Sequence, residues 1–92
     1  MIIHIGGQRS LKEEEIVMIL DIDTAATTES TKKLMARLEK EKKVVSSGED
    51  LPKSVVIAQK GREERCYLSP VSARTIMQRI EEGKVETNWK KS

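Results

Sequence analysis

The stretch from Lys53 to Ile80 constrains this chain most. Lys53-Ser-Val-Val-Ile-Ala-Gln59 is β-branched and apolar, Gly61 marks a tight turn, and Glu64 to Ser69 supplies a second β-prone run. Pro70 ends that run, and Ser72 is placed to cap a helix through Glu82 whose apolar stripe is Ala73, Ile76, Met77 and Ile80. Strand, turn, strand and capped helix therefore follow one another, with cations interleaved among the apolar residues. No catalytic set accompanies them. A compact module that presents basic side chains reads as a binder rather than an enzyme.

The rest of the chain fits an α/β (α+β) domain with a small mixed or mainly antiparallel sheet of about five strands and two helices. Met1 to Ile5 is a short strand stopped by Gly6-Gly7, and Gln8 to Leu11 continues it beyond the turn. Lys12 to Glu15 is a charged, exposed connection. Ile16 to Leu20 is an unbroken apolar run, the pattern of a central strand buried on both faces. Thr24 to Thr28 reads as a polar loop. Thr28 to about Lys42 is helical, with Leu34 and Leu38 four apart and Glu29/Lys33 and Glu39/Lys43 spaced for ion pairs. Val44-Val45 is a very short strand, and Gly48 sits in the turn that follows. Gly83 is a helix stop. The domain is expected over residues 1–82, with a polar tail over 83–92 in which Trp89 is either a loose end or an anchor for a partner.

Ninety-two residues make one domain with a thin core. With one Trp, one Tyr and no Phe, that core is aliphatic, and 35% of the residues are charged. Such a chain gains stability by associating with itself, so a homo-oligomer is expected. The net charge is only +2. Residues 1–46 hold eight cations and eight anions, and residues 47–92 hold nine and seven, so the surplus lies in the second half. The single cysteine, Cys66, excludes an internal disulfide and a cysteine-based zinc site, and it reads as a small core residue. No leader or membrane-length apolar run is present, which points to the cytoplasm.

Chemistry is sparse. His4 is the only histidine and falls out of phase with Ile3 and Ile5, on a strand surface with no nucleophile or acid at a telling spacing. Asp21 and Asp23, two apart on a strand, would share a face and could hold a divalent cation, but a polar strand end leading into a helix cap explains them better. No phosphate-cradling glycine loop is present. No cofactor, metal or small-molecule substrate is expected. The cations Arg9, Lys12, Lys53, Lys60, Arg62, Arg65, Arg74 and Arg79 lie at turns, strand ends or an exposed helix face. There they can neutralise phosphates without reading base sequence. The lack of aromatics disfavours base stacking on an aromatic platform, and with it RNA-recognition-motif chemistry.

Four segments carry a resemblance. Met1-Ile-Ile-His-Ile-Gly6, Glu15-Ile-Val-Met-Ile-Leu-Asp21, Pro52-Lys-Ser-Val-Val-Ile57, and Tyr67-Leu-Ser-Pro-Val-Ser72 followed by Thr75 resemble the small bacterial Rem-type extracellular-matrix regulators over about residues 1–80. The Pro-Lys-Ser strand and the Ser-Pro corner are closer to the RemB branch than to RemA. The resemblance implies a DNA-binding regulator of biofilm-matrix genes, a small subunit assembled into a closed ring, and DNA along a basic outer surface. In RemA-like members, arginines precede the second long strand and occupy the turn before the Val-Val strand. Here the first position falls near Glu14 or Glu15, and the turn reads Gly48-Glu49-Asp50-Leu51-Pro52. Lys53 alone keeps a cation at the end of that turn. Either the contacts have moved to residues such as Arg9, Lys12 and Arg74, or the protein acts as an oligomeric adaptor through protein partners.

Overall fold

A computed structural model describes residues 1–47 and 51–91, the side chains of 84–91 excepted. Among these residues six strands form two sheets. β1 (Ile2–Gly6) and β2 (Arg9–Lys12) make an antiparallel hairpin. β3 (Ile16–Asp21), β4 (Val44–Ser46), β5 (Ser54–Lys60) and β6 (Glu63–Ser69) make a four-stranded sheet in the order β3-β5-β6-β4. Only the β4–β6 pair is parallel. Three α-helices accompany them: α1 (Ile22–Thr27), α2 (Glu29–Lys40) and α3 (Ala73–Lys91). A 3-10 turn at Glu13–Glu15 joins the hairpin to β3. The fold is mixed α+β and mostly antiparallel, as expected, with one more strand and one more helix than the sequence suggests.

The four-stranded sheet separates two aliphatic cores. On one face Val56, Ala58 and Tyr67 pack with Ile3, Ile5 and Leu11 of the hairpin and Ile76 of α3. On the other face Val55, Ile57 and Cys66 pack with Ala25 of α1 and Leu38 of α2. Alternation along β5 sends successive residues to opposite cores, and Val55 through Ala58 are all buried. The strand covered on both faces is thus β5. The apolar run expected to be central, Ile16 to Leu20, is an edge strand instead, with Val17 59% and Met18 39% exposed. A register shift between Ile16 and Met18 makes Val17 the extra residue of a β-bulge.

Several local expectations are corrected. Thr24 is helical rather than part of a loop, because Ile22 and Ala25 give α1 an apolar side to bury on the sheet. Thr28 ends α1 and begins α2. Asp21 stands at the N-cap of α1 and Asp23 in its first turn, so the two carboxylates do not share a strand face. Arg37 of α2 pairs with Glu41 and, at 2.9 Å, with Glu64 of β6, while Lys43 pairs with Glu41 and Glu63. Glu64 holds the Arg37 guanidinium above its ordinary pKa.

Helix α3 starts where expected. Ser72 Oγ accepts the Thr75 N–H at 3.1 Å, and Ile76 N–H donates to the Ser72 carbonyl. Ala73 and Ile76 are buried, but Met77 is 55% exposed and leaves the expected stripe. Gly83 does not stop the helix, which runs on to Lys91. Its missing Cβ has another use, since a Cβ there would collide with the Met1 thioether. The expected turn residue Gly48, with Glu49 and Asp50, lies outside the described residues, as does the side chain of Trp89. Among the described residues, no helix is long and apolar enough to cross a membrane.

Candidate nucleic-acid interface

The end of the sheet where β5 begins and β6 finishes is built around serine hydroxyls. Ser54 and Ser69 are paired in register and buried. Ser54 Oγ donates to the Val71 carbonyl at 2.7 Å, and Ser69 Oγ accepts the Val71 N–H at 3.0 Å. Ser69 Oγ also donates at 2.5 Å to the carbonyl of Ile5. A register shift in the hairpin leaves Ile5 outside the cross-strand pairs, and Ser69 satisfies the group that results. These bonds fix the Ser69-Pro70-Val71 corner and so set where α3 begins.

Lys53 is mounted on that end. Its N–H donates to the Ser69 carbonyl at 2.7 Å, and its carbonyl accepts the Ile22 N–H at 3.0 Å. Held on both sides by the backbone, it carries its exposed ammonium at the rim of the sheet. Arg74 lies in the first turn of α3 at the same end, beside a shallow cleft it lines with Asp21 and Thr24. Among the described residues, no acid forms an ion pair with either Lys53 or Arg74.

The remaining candidate cations are dispersed. The Arg9 guanidinium sits 5.5 Å from the centre of the Tyr67 ring, a cation–π contact. Ala58 pairs with Arg65 and Lys60 with Glu63, so these four and Tyr67 share one sheet face. They line a groove that Glu15 and Ser10 close from the hairpin side. There Arg65 and Lys60 are balanced by Glu15 and Glu63. Arg62 stands in the β5–β6 turn, at the opposite end of β5 from Lys53. Lys12 pairs with Ile2, far from the Gly6-Gly7 turn. The Glu14 carboxyl near it is held below its ordinary pKa, first by a hydrogen bond from its own backbone and then by the N-terminal amine. Arg79 is tied down, its Nη1 donating to the His4 carbonyl at 2.7 Å. The structure thus brings Lys53 and Arg74 to one end of the sheet, engages Arg9 with the Tyr67 ring and Arg79 with the His4 carbonyl, and places Lys12 on the hairpin and Arg65 along β6.

The two other polar candidates are accounted for by packing. His4 is exposed, with Nδ1 3.4 Å from Ser10 Oγ across the hairpin. Cys66 is fully buried, and burial pushes its thiol up to about 11. The sequence reading passed over Gln8, Ser46 and Ser47, which the fold gathers with Arg9 and Ser10 around one polar cleft. Their signal was slight, since serines beside a glycine turn look like any loop.

The segments that carry this geometry coincide with a family pattern. The model of RemA-like proteins, described as extracellular matrix regulatory protein A-like, matches residues 2–80. The chain belongs to the RemA-like family. The matched span takes in both sheets, α1, α2 and the first eight residues of α3, so the serine corner and Lys53 are parts of the RemA-like domain. No curated protein matches the chain.

Proposed function

We propose that this RemA-like protein is a non-enzymatic, cytoplasmic regulator of extracellular-matrix (biofilm) genes that binds duplex DNA as a ring-like homo-oligomer. The observation that carries the reading is Lys53, whose backbone is bonded on both sides while its ammonium stands at the rim of the sheet near Arg74. A cation mounted in this way meets a phosphate without a large loss of backbone freedom. Repetition around an oligomer multiplies a weak contact per subunit into avidity.

Self-association is supported by the β3 edge. Ile16, Val17, Met18 and Ile19 line an open apolar groove with Met77 and Ile80 of α3, and Glu81 is its one charged residue among those described. An unpaired, apolar edge strand invites another chain. A second copy of this domain is the occupant proposed here, because its own core is small and aliphatic.

The test is fluorescence anisotropy of a labelled promoter-length duplex over a salt series, with Lys53→Ala and Arg74→Ala beside the unaltered protein. Saturable binding that weakens steeply with salt and in both variants supports the reading. A folded, oligomeric sample that binds no duplex at low salt would sink it and favour an adaptor that works through protein partners.

A further inference from the structure

Helix α3 carries an exposed line of side chains that a single subunit does not use. Arg74, Met77 and Glu81 are all exposed. They stand three and four residues apart, so they share one side of the helix over two turns, a span of about 10 Å. Among the described residues, neither Arg74 nor Glu81 forms an ion pair.

The line runs beside β3. Arg74 and Met77 border one cleft with Ile19, Leu20 and Asp21, while Met77 and Glu81 border the next with Ile16 to Ile19. Ile19 and Met77 line both clefts, so together they form one trough with an apolar middle. Its two ends differ in charge. Arg74 and the nearby Lys53 outnumber Asp21 at one end, and among the described residues lining the other end Glu81 is the only charge. The bulge at Val17 interrupts the regular row of edge N–H and C=O groups along β3, which disfavours strand addition. Whatever fills the trough therefore packs through side chains.

We infer that a second copy fills this trough through a two-fold contact, in which the two α3 helices run antiparallel and Arg74 of each copy pairs with the partner's Glu81. Read backwards, the order cation, apolar, acid is its own complement, and a two-fold axis near Met77 brings each end onto its opposite. The inference rests on the self-association reading above and names the contact that makes it. It assigns Arg74 to that contact and leaves Lys53 as the cation of this end that faces phosphate, so Arg74→Ala weakens duplex binding by loosening the assembly. A two-fold contact makes pairs, and a ring that contains it needs a second contact and an even number of subunits.

The experiment reverses the charges. Arg74→Glu and Glu81→Arg are made singly and together, with sedimentation velocity over a concentration series to read assembly and circular dichroism to read the fold. Both side chains are exposed, so all three variants should fold. Each single reversal sets like charges against each other twice in the contact and should raise its dissociation constant roughly a hundredfold. The double reversal should restore association. An equimolar mixture of the two single variants is the sharper test. In a mixed pair the two acids of one copy meet the two arginines of the other, so association should return although each variant alone is dispersed. A mixture that stays dispersed overturns the two-fold contact. So does an assembly that neither single reversal disturbs, and self-association through another surface then stands. An unaltered protein that is monomeric at every concentration removes both the contact and the self-association reading.

Discussion

Ser69 Oγ reaches across 64 residues of sequence to the carbonyl of Ile5, and its lone pairs also accept the N–H of Val71. One buried hydroxyl therefore joins the hairpin, the end of β6 and the lead-in to α3.

Replacing that hydroxyl tests its role. Ser69→Ala leaves a carbonyl and an N–H without their partner in a dry corner and should cost about 2–3 kcal/mol. Urea denaturation followed by circular dichroism reads this directly. A loss below about 0.5 kcal/mol would mean that the corner holds itself without the serine.

Gly6→Ala should be costly for a different reason. Gly6 sits at φ 112°, and an added Cβ would lie 2.8 Å from two ring carbons of Pro70. Strain and collision together should remove about 2 kcal/mol or more. In a domain of this size that is a fall in Tm of roughly 10 °C. Gly83→Ala makes a useful contrast. There the colliding group is the end of the flexible Met1 side chain, which can swing away, and a helical alanine offsets the disturbance.

Cys66 gives a dependence on pH. Its thiol titrates at about 11 in the folded chain, against 9.0 for the ordinary group. Between these values the unfolded chain has released a proton that the folded chain keeps, so stability falls as pH rises from about 9 to 11. The limiting slope is about 1.4 kcal/mol per pH unit. Below pH 8 the thiol contributes no slope. Cys66→Ala should flatten the alkaline limb of a stability–pH curve. A thiol reagent at pH 8 should label the native protein only at the rate at which it opens.

The β3 edge yields a prediction about assembly. Val17 is the bulged, outward residue of that edge. Val17→Asp should leave the subunit fold within about 0.5 kcal/mol while dispersing the proposed oligomer in sedimentation velocity. Met77→Asp, on the facing helix, should do the same. An assembly state unchanged by both would place the contact between subunits elsewhere.

The legible parts of the fold were those decided within a few residues. The β5 and β6 runs, the Gly61 turn and the Ser72 cap could be read because β-branching, a positive φ and a side-chain cap act locally. The rank of strands in the sheet was not local. Ile16–Leu20 and Val55–Ala58 are both unbroken apolar runs, and only the pairing partners decide that the second is central and the first an edge. Helix α1 is six residues long, too short for its period to stand out with Ile22 and Ala25 as its anchors. Gly83 looked like a stop because the residue that explains it, Met1, lies at the other end of the chain. The same holds for the site. Lys53 could be picked from its position after a turn, but the His4 carbonyl that engages Arg79 and the cleft around Ser47 exist only once the hairpin has docked.

Strand β5 has a bearing on how the domain comes apart. Val56 and Ala58 belong to one core, and Val55 and Ile57 to the other. Once that strand leaves, neither core has its wall. The two layers are therefore expected to melt as a single cooperative unit. The amide hydrogens of Val55 to Ala58 should exchange with solvent only through complete unfolding, at a free energy equal to the stability of the whole domain.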